Sequence, residues 1–172
     1  ADGVTLSFGV LIDPLSTMML IIVSLIALLV HVFSLGYMND EGERDLPRYY
    51  AGLGLFTASM LGFVIADHLL MAFIFFELVG LCSYLLIGFW YREEAPPSAA
   101  KKAFLVTRFG DYFFLIGVVA VFATFGTARF VGPMAFPTLA EAAIAGEVTV
   151  RTFGLSPQTW ITVVGLLILG GV

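Results

Sequence analysis

In a chain of 172 residues, 60% hydrophobic and only 12% charged, the composition is far from that of soluble domains, which carry roughly 25% charged residues, and it reads as a membrane protein. The net charge of −5 leaves no basic footprint for nucleic acid. The single cysteine, Cys82, excludes a disulfide framework or a cysteine metal cluster within the chain.

The opening residues alternate, with Val4, Leu6, Phe8, Val10 and Ile12 on one side and Thr5, Ser7 and Gly9 among those on the other. A period of two predicts a short surface strand over residues 1–12. Asp13-Pro14 then opens a helix, because aspartate suits an N-cap and proline the first turn. The helix over 13–38 holds an apolar run of about 23 residues, about 35 Å long and enough to cross a bilayer core.

A charged loop from Asn39 to Arg48 leads into a second span over 47–66, and Asp67-His68 reads as a tight polar turn with Asp67 as a cap. The third span, over 67–91, carries Glu77 and ends at Trp90 and Tyr91, where an interfacial aromatic belt would place them. A charged turn from Arg92 to Lys102 follows, with Lys101 and Lys102 anchoring a helix end at the interface. The fourth span, over 97–125, carries Arg108 and Asp111. Residues 126–156 form an external loop in which Thr138 to Glu141 has the pattern of a capping box opening a short helix that Gly146 ends. Pro157 begins a further span, and residues 157–172 hold only its start. The fold class is an all-α polytopic transmembrane bundle of about five spans with a surface strand at its N-terminus. Starting at Ala1 without a methionine and stopping at Val172 inside an apolar run, the chain is expected to be a piece of a longer protein.

Basic residues set the orientation. Arg44, Arg48, Arg92, Lys101 and Lys102 fall in the first and third turns, against Arg129 and Arg151 in the long loop. By the positive-inside rule the first and third turns are cytoplasmic, and the Asp67 turn and the long loop face outward.

The charges inside apolar runs carry the functional reading. An ionisable group in hydrocarbon costs roughly 3 kcal/mol on insertion scales, so Glu77, Arg108 and Asp111 are functional candidates by default. Glu77 lies about 12 Å into its span, and Asp111 about 12 Å from the inner end of the next, so both stand near the midplane. Arg108 precedes Asp111 by three residues and shares its helix face, where it can pair with either carboxylate. Glu77, Gly80, Tyr84 and Gly88 share a face on which the glycines permit close helix approach. The plainer alternative is a static crosslink between helices. His31 has two readings, proton relay or hydrogen-bonded packing, while Cys82 reads as a small buried side chain.

Residues 75–91, Phe-Phe-Glu-Leu-Val-Gly-Leu-Cys-Ser-Tyr-Leu-Leu-Ile-Gly-Phe-Trp-Tyr, and residues 102–111, Lys-Ala-Phe-Leu-Val-Thr-Arg-Phe-Gly-Asp, together resemble the largest antiporter-like subunits of respiratory complex I, the NADH-quinone oxidoreductase chain L or chain 5 type. Ile12-Asp13-Pro14-Leu15-Ser16, the His31 span and the turn at Tyr37 match as well. The resemblance implies a many-helix subunit of the prokaryotic plasma membrane that carries protons beside other membrane subunits. It implies no cofactor in this chain, since the flavin, iron-sulfur and quinone chemistry belongs to partners. The family's proton-handling glutamate falls on Glu77, and its arginine and aspartate fall on Arg108 and Asp111. Two departures stand out. The family usually shows Trp-Glu-Gly where this chain has Phe76-Glu77-Leu78. In the family a lysine that pairs with the glutamate follows shortly after the Gly-Gly stretch of the fifth span, which the resemblance puts after Gly170-Gly171-Val172. Large subunits of sodium/proton antiporters and of membrane hydrogenases are similar in the same motifs, and a purely structural membrane anchor is the competing class.

Overall fold

The computed structural model describes residues 9–39, 45–150 and 152–171. They form α1 (Pro14–Tyr37), α2 (Leu46–Val64), α3 (Leu69–Ile87), α4 (Ala95–Phe125), α5 (Phe136–Ile144) and α6 (Pro157–Gly170). The class is the all-α membrane fold that the composition predicts. Helices α1, α3 and α4 are both long and apolar enough to cross a membrane. The other two expected spans are more modest: α2 has 19 residues but falls short in apolarity, and α6 is an apolar helix of 14 residues. Most of the expected N-terminal strand lies outside the described residues. At its end Val10 makes an isolated antiparallel bridge to Ala66, and the Leu11 amide donates to the Ile65 carbonyl at 2.9 Å.

Local chemistry explains where the helices begin. The Asp13 carboxylate accepts from the Ser16 amide at 2.6 Å while the Ser16 hydroxyl receives the Asp13 amide at 2.7 Å. This reciprocal box, with Pro14 in the first turn, satisfies donors that α1 would otherwise leave unpaired. These bonds also hold the Asp13 carboxyl below the usual carboxylate range. Along α1 only Ser16 and Ser34 are buried, the pattern of an apolar helix whose solvent is hydrocarbon. The short helix α5 starts earlier than its sequence pattern implies. Its N-cap is Ala135, with proline in the first turn, and the Thr138 hydroxyl turns back to the Gly132 carbonyl at 3.4 Å. Proline's fixed φ is already helical, so Pro137 moves the start ahead of the threonine. Gly146 follows the end of α5 at φ +79°, a conformation glycine adopts without strain.

The chain divides into two compact units: Leu11–Ile65 with Ile74–Val106, and Val10 with Ala66–Phe73 and the residues from Thr107 onward. In the first, the Ser34 hydroxyl of α1 lies 3.0 Å from the Tyr49 hydroxyl of α2. Gly62 of α2 abuts the Phe75 ring of α3, and Ser59 and Cys82 are fully buried. The Arg48 guanidinium donates to the Phe89 carbonyl at 2.8 Å and covers the Phe89 and Tyr91 rings at 5.3 and 4.7 Å. A cleft of about 380 Å³ opens beside it.

In the second unit, Asp111, Phe114, Val118 and Val121 form a buried stripe along α4. Their spacing of three and four residues keeps them on one helix face. Opposite that stripe, the indole N–H of Trp160 on α6 donates to the Thr124 hydroxyl at 2.8 Å. A Cβ on Gly117 would collide with Ile168. Gly171, just past α6, lies so close to α4 that a Cβ there would come within 2.9 Å of the Gly110 carbonyl and the Phe114 amide. Only small residues allow backbones this near each other.

Candidate functional site

Glu77 stands on α3 eight residues after Leu69, about 12 Å along a 19-residue helix, and is partly buried. One turn further, Gly80 opens onto space, with no described atom within 4 Å of where a Cβ would sit. At Gly88 a Cβ would come within 3.4 Å of the Ala100 side chain and 3.2 Å of the Tyr84 carbonyl. The expected stripe of close approach therefore exists at Gly88 and not at Gly80. Between them, the Tyr84 ring packs against Phe104 at 5.2 Å.

Arg108 and Asp111 belong to the other unit, midway along the 31-residue α4. The sequence leaves two carboxylates open to Arg108, and the structure sets its Nη1 3.6 Å from Oδ2 of Asp111. The side chains are 26% and 8% exposed. Charge-assisted hydrogen bonds run at roughly 2.7–2.9 Å, so at 3.6 Å this pair is held by Coulomb attraction and not by a short bond. The turn of α4 that carries Asp111 is also the one on which the Gly170-Gly171 end of α6 is seated, with Gly110 at the contact.

His31 bonds inside its own helix. Its Nδ1 lies 2.7 Å from the Ala27 carbonyl. A carbonyl only accepts, so in this contact Nδ1 is the donor.

The residue that sequence reasoning passed over is His68. Asp67, expected to cap α3, does not: its carboxylate accepts from the Gly9 amide at 3.0 Å and lies 3.7 Å from the Arg129 guanidinium. The cap is His68, whose Nδ1 accepts from the amide of Leu70 at 3.2 Å, the second residue of the helix. The imidazole is 3% exposed and packs against Phe122 at 5.2 Å. Two backbone bonds fix its frame, Leu69 amide to Ala128 carbonyl at 2.8 Å and Phe130 amide to Asp67 carbonyl at 3.0 Å. Burial pushes the imidazole below the ordinary histidine value; Asp67 opposes that shift and Arg129 adds to it. The signal in the sequence was a histidine immediately before an apolar run.

Apolar helices with an ion pair and a carboxylate at mid-helix define a charge-bearing polytopic membrane protein. The family follows from comparison with known proteins. One family model, described as NADH:quinone oxidoreductase/Mrp antiporter, TM, matches residues 66–170. Another, described as NADH-Ubiquinone oxidoreductase (complex I), chain 5 N-terminus, matches residues 1–50. The chain belongs to this family of antiporter-like membrane subunits. Among its relatives, F(420)H(2) dehydrogenase subunit L of Methanosarcina mazei is 49% identical over 110 residues, covering 64% of this chain and 16% of that protein. NAD(P)H-quinone oxidoreductase subunit 5 of the Paulinella chromatophora chromatophore is 48% identical over 122 residues, 71% of this chain and 18% of that one. NADH-quinone oxidoreductase subunit L of Mycobacterium tuberculosis is 38% identical over 171 residues, 99% of this chain and 24% of its own length. The chain thus spans no more than about a quarter of these relatives.

Proposed function

We propose that the chain is the proton-carrying segment of the large antiporter-like subunit of a complex I type NADH-quinone oxidoreductase in a prokaryotic plasma membrane. The observation that carries this reading is the Arg108–Asp111 pair, sequestered at mid-helix in an apolar span and held at 3.6 Å. A bilayer makes such charges expensive, and a loose pair changes its separation at small cost. Glu77 supplies the titratable group on the neighbouring span. It alternates between protonated and ionised as nearby charge approaches or withdraws, since opposite charge favours the carboxylate and desolvation favours the neutral acid. Arg108 and Asp111 set or transmit that electrostatic signal, and the redox work that drives it is done by partner subunits. No cofactor is assigned to this chain. The relatives' names differ in electron donor while their sequences stay 38 to 49% identical to this one, which supports donor choice residing outside this segment.

A second reading has its own support, because the description of the matching family model also covers Mrp antiporters. In that case the same charges move protons against sodium without redox partners. The test is Glu77→Gln, which keeps shape and removes the titratable group. In membranes holding the assembled complex, protons translocated per electron should fall to a small fraction of wild type while the amount of complex stays near normal. Glu77→Asp, one methylene shorter, should be intermediate. Normal pumping by the Gln variant removes Glu77 from the path, and a loss that only tracks lost assembly favours the static crosslink.

A further inference from the structure

We infer that His68 is a proton-linked positioning residue for the helix that carries Glu77, capping α3 when neutral and uncapping it when protonated from the outer face. The role in pumping rests on the proton-carrying reading above; the geometry of the cap does not.

The argument starts from the ring nitrogen. Nδ1 of His68 accepts the Leu70 amide proton, so in the folded chain this nitrogen must be bare and the neutral ring carries its proton on Nε2. Protonating Nδ1 sets an N–H against an N–H and turns the cap from attraction to repulsion. Position adds to this. The ring stands at the positive end of the α3 dipole, where cations are disfavoured and anions favoured, and it is buried and packed against Phe122, while the adjoining Leu69 amide is held by the Ala128 carbonyl. The charged groups that face it are Asp67 from its own turn, which favours imidazolium, and Arg129 from the segment after α4, which opposes it. Asp67 is itself engaged by the Gly9 amide and by Arg129.

Because the folded protein disfavours the charged ring, the unfolded turn binds more protons than the closed one. The cap is fully in force above the ordinary histidine value of 6.5. It weakens as pH falls from there to the lower folded value, and the loss saturates below that. This turn faces outward in the orientation set by the basic residues, the side on which translocated protons emerge. Acid arriving there loosens the seat of α3, with Glu77 about 12 Å further along the same helix.

The experiment uses the assembled complex in membranes and hydrogen–deuterium exchange of residues 67–72, corrected for the intrinsic pH dependence of exchange, from about pH 5 to 8. Two variants accompany the wild type: His68→Asn, an amide that caps well and does not titrate, and His68→Leu, which cannot cap. Wild-type protection should fall by up to about tenfold per pH unit within the window below 6.5. The Asn variant should stay protected and flat, and the Leu variant should be weakly protected at every pH. Pumping measured at lowered outer pH should decline in the wild type and not in His68→Asn. Wild-type protection as flat as that of His68→Asn, or a fall of equal size in both, overturns the inference. Failure of the proton-carrying reading would appear instead as normal pumping by Glu77→Gln, with the protection pattern of residues 67–72 unchanged.

Discussion

Neutralising one or both members of the Arg108–Asp111 pair separates a working charge pair from a passive link. At 3.6 Å and an effective dielectric constant near 20, Coulomb attraction is about 5 kcal/mol, largely offset by the cost of taking both ions out of water. The balance changes when one partner goes. Asp111→Asn takes one counter-charge from the Arg108 guanidinium, and Arg108→Gln takes the facing cation from the buried Asp111 carboxylate. Each single change should cost about 3–5 kcal/mol. The double variant should cost less than the sum of the two, because the attraction between Arg108 and Asp111 is lost only once. The assay is a double-mutant cycle on the complex in membranes, scored as resistance to graded denaturing detergent and, in parallel, as protons moved per electron. A double variant that recovers stability but not pumping supports the charges as functional; one that recovers both makes the pair a crosslink. Single-variant costs that add within about 0.5 kcal/mol would refute the pairing itself.

Two other predictions follow from the geometry. A cysteine at Glu94 should react with an impermeant reagent from the cytoplasmic side only and one at Glu147 from the outer side only; both positions are exposed, the native Cys82 is fully buried and silent, and reversed labelling would invert the orientation. Gly171→Ala should cost about 1–3 kcal/mol by forcing α6 away from the Asp111 turn, because its new methyl would meet the Gly110 carbonyl and the Phe114 amide, atoms with no rotamer to yield; a melting transition unchanged from wild type would contradict that contact.

The spans and their charges were legible because hydrocarbon imposes simple rules: an apolar run of sufficient length crosses, and an acid inside it is costly. That logic singles out Glu77, Arg108 and Asp111 one residue at a time. What it could not reach depends on tertiary neighbours. Asp67 is the better cap by propensity, yet Gly9 and Arg129 claim its carboxylate and the cap falls to His68. Gly80 and Gly88 look alike in sequence, but among the described residues it is Gly88 that is closely approached, because Ala100 of α4 comes up against it. Thr138 to Glu141 carries a capping pattern that Pro137 overrides by starting the helix earlier. Short-range signals locate elements, and competition for the same hydrogen-bonding groups decides which signal prevails.

The Arg48 contact with the Phe89 carbonyl bears on how the chain enters the bilayer. Helix α2 begins with a charged first turn and is not apolar enough to partition on its own, whereas α3 is. Only a four-residue turn separates them in the chain, and the arginine closes their opposite ends. If α2 and α3 enter the bilayer as a helical hairpin, α3 supplies the partition free energy that α2 lacks. In the orientation read from the basic residues the guanidinium crosses nothing: it stays at the rim of the bilayer, over the Phe89 and Tyr91 rings.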